Sequence, residues 1–172
     1  MSRFKLRKSL KFIIGILLIP VIAGFLYYFS NSYATSDNNL KVYFLDVGQG
    51  DAEYIKMPDG QDVLIDGGPD NSILNELGKV MDFGDYEIDL VILSHPHADH
   101  LPGLIEVLKR YKVDEVWESG VDYPSATYDE WKKLISEKQI PDQKVKAGDE
   151  KIFGAVKIFV LYPLSSFESK TI

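Results

Sequence analysis

The chain holds 3 histidines, and all of them fall within the stretch His95-Pro96-His97-Ala98-Asp99-His100. Imidazole nitrogens together with a carboxylate are the donors that a borderline ion such as zinc prefers, so a chain that spends its whole imidazole supply on one loop reads as building part of a metal site. The competing reading is an ordinary exposed polar loop. His95 and His97 are two apart, so in extended chain both point the same way. Asp99 and His100 are adjacent and share that direction only through a turn. The spacing therefore predicts two neighbouring ion positions, His95 with His97 on the first and Asp99 with His100 on the second. A carboxylate at position 99, just ahead of a helix, is also favoured by the free backbone donors there.

The elements that must hold this loop can be read on either side of it. Residues 40–47 and 52–57 are rich in β-formers, and the turn Pro58-Asp59-Gly60 leads into a third extended segment at 61–66. Gly67-Gly68-Pro69-Asp70 stops it, and Ile73, Leu74, Leu77, Val80 and Met81 follow at helical spacing. The run IDLVIL at 88–93 is apolar almost throughout, as expected of a strand covered on both faces. The histidine loop comes directly after it, at the place where open α/β sheets put ligand chemistry. A helix with Leu101, Leu104, Leu108 and Tyr111 on one stripe comes next, then a strand at 113–117, a polar loop at 118–127 and a helix at 128–139 carrying Trp131, Leu134 and Ile135. Residues 144–147 extend briefly, and a β-like segment at 156–162 is closed by Pro163. Strand and helix alternate, which predicts an α/β layered fold. Trp117, Trp131 and the tyrosines are expected in core or surface packing, since no basic stripe accompanies them to make a stacking platform.

Residues 12–29 form an apolar run preceded by Arg3, Lys5, Arg7, Lys8 and Lys11 with no acid among them. Two expectations follow: a single-pass membrane anchor with an extracellular C-terminal domain, or a signal peptide cleaved near Ala34 that releases a secreted domain. The membrane is a partner in the first. The resulting division is 1–34 signal or anchor, 35–39 linker, and 40–172 domain. Net charge is −7, and all 26 acids but only 14 of the 19 bases lie beyond residue 34. That balance argues against a broad nucleic-acid-binding face, although bound divalent ions would invert the field inside a catalytic cleft. There is no cysteine, so disulfides are excluded and any zinc site must use nitrogen and oxygen ligands.

The segment Ser94 to Gly103, SHPHADHLPG, closely resembles the His-x-His-x-Asp-His signature of the metallo-β-lactamase fold superfamily. The resemblance implies the N-terminal half of an αββα sandwich, with His95 and His97 on a first ion and Asp99 and His100 on a second. In dinuclear relatives the ions, usually zinc with manganese as an alternative, hold a hydroxide that attacks the substrate. Asp46 to Ala52, DVGQGDA, and Leu64 to Gly68, LIDGG, resemble a narrower branch, the metallo-hydrolase domain of ComEC/Rec2-like DNA-uptake proteins. With the turn Lys146-Ala147-Gly148-Asp149 this likeness spans residues 40–163. It implies phosphodiesters such as DNA as substrates, Asp99 and Asp66 as the acids that support catalysis, and Asp66 accepting hydrogen bonds that fix the histidine loop. A plain turn-closing role for Asp66 stays open. Gly48, Gly50, Gly67 and Gly68 would serve tight turns and close backbone approach, and Asp51 would face the cleft. The family's second half brings a further histidine, a bridging aspartate and a last histidine, whereas no histidine follows His100 here. A C-terminally incomplete hydrolase fragment with little turnover is therefore expected, exposing an apolar sheet face open to self-association. The alternative is a non-catalytic, surface-tethered binding or assembly module that kept the loop.

Overall fold

The computed structural model describes residues 17–27 and 39–167. The chain divides into two units, Met1–Asp37 and Asn38–Ile172. In the first, residues 17–27 are helical (α1). This corrects the reading of the N-terminal apolar run. Among the described residues no helix is long and apolar enough to cross a membrane. The membrane or signal helix, the membrane as a partner, and the single-pass or secreted location with an extracellular domain all rested on that run, and none is retained. Residues 12–16 and 28–38, which include the cleavage point expected near Ala34 and most of the expected linker, lie outside the described residues.

The second unit runs β1 (Lys41–Phe44), β2 (Glu53–Lys56), β3 (Asp62–Ile65), α2 (Ser72–Val80), β4 (Glu87–Ile88), β5 (Leu90–Leu93), α3 (Pro102–Arg110), β6 (Lys112–Val113), β7 (Val116–Glu118), α4 (Ala126–Lys138), β8 (Asp142–Lys144), β9 (Glu150–Phe153) and β10 (Val156–Phe159). A 6-stranded sheet has the order β1-β2-β3-β5-β7-β8. β1, β2 and β3 pair antiparallel, while β3, β5, β7 and β8 pair parallel. The apolar run at 88–93 is two strands, not one. Asp89 divides it: its carboxylate accepts from the Asp62 N–H (2.9 Å), Asp62 accepts from the Asp89 N–H (3.1 Å), and Glu87–Ile88 pairs with β6 in a separate ribbon.

Each face of the sheet is covered by a different kind of element. On one side the helices contribute Ile73 and Leu77 from α2, Leu104, Ile105, Val107 and Leu108 from α3, and Tyr128, Trp131 and Ile135 from α4 to a single buried cluster. A fully buried leucine among these stabilises the fold by ~1.5–3 kcal/mol. The local signals agree with the helix boundaries. Pro102 opens α3, Lys109 and Arg110 complement its carboxyl end, and the Ser125 hydroxyl caps α4 by accepting from the Tyr128 N–H (3.1 Å). On the other side the β9–β10 hairpin packs Phe153, Val156 and Ile158 against Met57, Val63, Leu90 and Trp117. The hairpin thus covers part of the sheet face expected to be bare, while Phe44, Ile152, Phe159, Leu161, Tyr162 and Leu164 stay exposed. The layering is an αβ sandwich of the kind found in the N-terminal region of the resembled fold. β9 escaped the sequence reading because its alternation is Glu150, Lys151, Ile152, Phe153, with Phe153 alone fully buried.

Candidate metal centre

β3, β5 and β7 are parallel, so their carboxyl ends lie side by side, and the chemistry-bearing residues follow directly from those ends: Asp66 after β3, the histidine loop after β5, and Glu118 closing β7. Backbone bonds stitch the turns together. The Gly67 N–H donates to the His100 carbonyl (2.8 Å), the Gly103 N–H to the Gly68 carbonyl (3.0 Å), and the Gly68 N–H to the Asp51 carbonyl (3.1 Å). Such closeness leaves no room for side chains. A Cβ on Gly103 would overlap the Gly67 carbonyl, one on Gly67 would lie 2.5 Å from the Leu104 nitrogen, and one on Gly50 would overlap the Asp99 carbonyl. Of the glycines singled out from the sequence, Gly48 meets no such neighbour, and Gly103 is the tight one that only the signature hinted at.

Asp66 sits beneath the loop. It turns with φ of 55°, a left-handed conformation that aspartate tolerates better than most residues, and its side chain is buried. One carboxylate oxygen accepts from the Ser94 N–H (2.9 Å). The other accepts from the Ser94 hydroxyl and faces His100 Nδ1 at 2.8 Å. A carboxylate there holds the proton of His100 on Nδ1, which leaves the Nε2 lone pair free. That Nε2 is turned toward Asp99 (3.6 Å) and Asp51 (3.9 Å).

The three imidazoles are packed together: His95 lies 4.4 Å from His97 and 4.0 Å from His100 between ring centroids. Burial, with His100 and His97 close by, pushes the His95 pKa below its ordinary value, in the direction that favours the neutral ring a ligand needs. Nearby Glu53 is pushed the other way, first by burial and then by Asp51 and Asp66, the response of an acid placed in a negative field. One donor atom from each of His95, His97 and Asp99 lies within 4.8 Å of the others, and the same holds for Asp66, His95 and His100. These clustered residues are able to coordinate a metal ion. In the second group both Asp66 oxygens already accept hydrogen bonds, and the acid is walled in at 4% side-chain exposure, against 46% for Asp99 and 68% for Asp51. Every residue singled out from the sequence is thus brought to one place, with Asp66 on its inner side and Asp99 and Asp51 on its outer side.

Three further residues border the cluster without a sequence signal of their own. Ser94 bridges Asp66 and His95, whose Nδ1 is 3.0 Å from the serine oxygen. Tyr123 stacks obliquely 5.5 Å from His97. Glu118, buried, accepts from the Tyr128 hydroxyl (3.1 Å), Trp131 Nε1 (2.9 Å) and Lys144. With Leu93, His95, Pro96 and Val121 it lines a shallow surface depression.

Residues 45–165 match the sequence model of the metallo-beta-lactamase superfamily. The chain belongs to that superfamily. The match contains Asp51, Asp66 and the whole of the histidine loop. Among known proteins, microtubule-associated protein 1A from Rattus norvegicus, Mus musculus and Homo sapiens is 38% identical over 96 residues, 55% of this chain and 3% of each relative. The chain therefore corresponds to a small piece of those proteins. Solved structures with a looser likeness include a diphosphatase from the PhnP family (22% identity, TM-score 0.41, 63% of this chain and 41% of that one). A metallo-beta-lactamase from Staphylococcus aureus subsp. aureus COL (19%, 0.43, 72% and 34%) and the Rm3 metallo-beta-lactamase (23%, 0.41, 72% and 52%) are others. The chain spans about a third to a half of the length of these solved chains.

Proposed function

We propose that the chain is a metal-dependent hydrolase in which His95, His97, Asp99 and His100 hold zinc, with manganese as the alternative ion, and in which phosphodiesters such as DNA are the substrates. The observation behind this reading is the convergence of His95, His97 and Asp99 within 4.8 Å, with His100 Nε2 a further 3.6 Å from Asp99. His95 stands between His97 and His100, 4.4 and 4.0 Å from them between ring centroids, and Asp99 is within reach of all three, a cluster with donors enough for one ion or for two adjacent ones. Divalent ions there would supply Lewis acidity and bring a water's pKa toward neutrality. The protein's own contributions are distinct. Asp99, half exposed, is the acid on the side a substrate approaches, while Asp66 fixes His100 from within. The phosphodiester class and the ComEC/Rec2-like branch rest on the blocks DVGQGDA and LIDGG, which put Asp51 and Asp66 beside the loop.

The test is metal analysis of the purified, tag-free chain, followed by hydrolysis of single-stranded DNA and bis(p-nitrophenyl) phosphate in added zinc or manganese. Bound zinc and a low turnover that Asp99→Ala abolishes are expected, and a folded chain that takes up neither ion would end the proposal. A second reading, a binding or assembly module that keeps the loop without hydrolysing anything, is favoured by the 38% identical relatives being named for association with microtubules. Zinc bound at full occupancy with no turnover on either substrate would select it.

A further inference from the structure

We propose that Ser94 is a positioning residue that relays the charge of Asp66 to His95, so that one buried carboxylate orients two of the metal-binding imidazoles. The argument is a count of protons. The Ser94 hydroxyl donates to Asp66, and the same oxygen lies 3.0 Å from His95 Nδ1. A hydroxyl has a single proton. Once it is committed to the carboxylate, the serine oxygen can only accept from the imidazole, so the proton of neutral His95 sits on Nδ1 and the lone pair is left on Nε2. His100 reaches the same state directly, its Nδ1 being 2.8 Å from the same carboxylate oxygen. The relay is rigid, because the Ser94 N–H is also tied to the other Asp66 oxygen at 2.9 Å. Geometry explains why His95 needs an intermediary. It stands next to Ser94 on the strand's end, whereas His100 is returned over Asp66 by the turn whose Leu101 N–H bonds to the His97 carbonyl at 3.0 Å. A free neutral histidine favours the opposite tautomer, with its proton on Nε2, so the serine works against an intrinsic preference.

The tautomer claim stands on hydrogen bonds alone, while its consequence for metal binding rests on the function proposed above. Two-bond 15N–1H correlation spectra of the metal-free chain, taken at about pH 8.5 where imidazole with its ordinary pKa of ~6.5 is neutral, separate the two. In the unaltered protein His95 and His100 are expected to carry the proton on Nδ1. Ser94→Ala is expected to release His95 to the Nε2–H or an averaged form while His100 stays as it was, and Ser94→Thr restores His95. Zinc affinity by chelator competition should fall about 10- to 100-fold in Ser94→Ala and return in Ser94→Thr. A purely structural serine would alter melting without singling out the His95 tautomer. A proton on His95 Nε2 in the unaltered protein overturns the relay, and that spectrum needs no variant to fold. An unchanged tautomer in a folded Ser94→Ala overturns it as well, even if zinc binds. The predicted tautomers without zinc uptake would leave the relay standing and remove the metal function.

Discussion

Strand β3 begins on a buried aspartate, Asp62, and is followed by another, Asp66, each 3% exposed, yet the two ends do different work. At the amino end Asp62 accepts from the Tyr54 hydroxyl (2.6 Å), and Asp62 and Asp89 each accept from the other's backbone N–H through the side-chain carboxylate, which clamps the start of β3 to the start of β5. Its donors come from the neighbouring strand and strand junction, and burial pushes its pKa up to about 6. At the carboxyl end Asp66 accepts donors from Ser94 and His100, groups delivered by a loop after a different strand. Equal burial therefore says little about what an acid does, whereas the origin of its donors says a great deal. An acid satisfied from adjoining strands locks a sheet; one satisfied from the loop beyond the sheet shapes a site.

The sharpest way to break the comparison is Gly103→Ala, which forces a Cβ into the Gly67 carbonyl at the carboxyl end, where backbone stands on both sides and cannot yield. A loss of about 3 kcal/mol or more in urea unfolding, with zinc binding lost too, is expected. Asp66→Ala comes next. It leaves the Ser94 N–H and His100 Nδ1 without their acceptor and should cost about 2–3 kcal/mol, with zinc affinity down at least ~10-fold. An Asp66→Ala protein that binds zinc as tightly as before would make the acid a mere turn-former.

Asp62→Asn tests the other end through pH. Because burial raises the folded pKa of Asp62 from 3.8 to about 6, the folded state binds its proton more tightly than the unfolded chain. Its contribution is complete below about pH 4 and is lost as pH rises through about 6, amounting to about 1–3 kcal/mol. The asparagine, which can still accept from the Asp89 N–H and donate to the Tyr54 oxygen, should flatten melting temperature across that window without touching zinc affinity. The smallest stability effect belongs to Asp99→Ala. This half-exposed side chain is expected to change unfolding by no more than ~0.5 kcal/mol while weakening zinc in the chelator assay. A large melting shift there would place Asp99 with the structural acids.

Much of the site was legible in residue types. Three imidazoles and a carboxylate in one short stretch have few uses other than chemistry, and their position after an apolar strand puts them at a sheet's carboxyl edge. Ser94, Tyr123 and Glu118 were not legible, since a serine, a tyrosine and a glutamate are ordinary at strand ends and in loops. A window over 12–29 averages apolar character without fixing a helix's length, and among the described residues no helix is long and apolar enough to cross a membrane.

By itself, the sequence determined which atoms were on offer: nitrogen and oxygen donors without thiols, gathered between a strand and a helix whose apolar spacing dictates which faces are buried. Tertiary structure alone decided where their protons reside. Strand β3 runs beside β5, and that pairing carries Asp66 beneath Ser94 and His100, 28 and 34 residues away. The orientation of an imidazole depends on the partner at its far nitrogen, and that partner comes from a distant segment, so no local pattern encodes it.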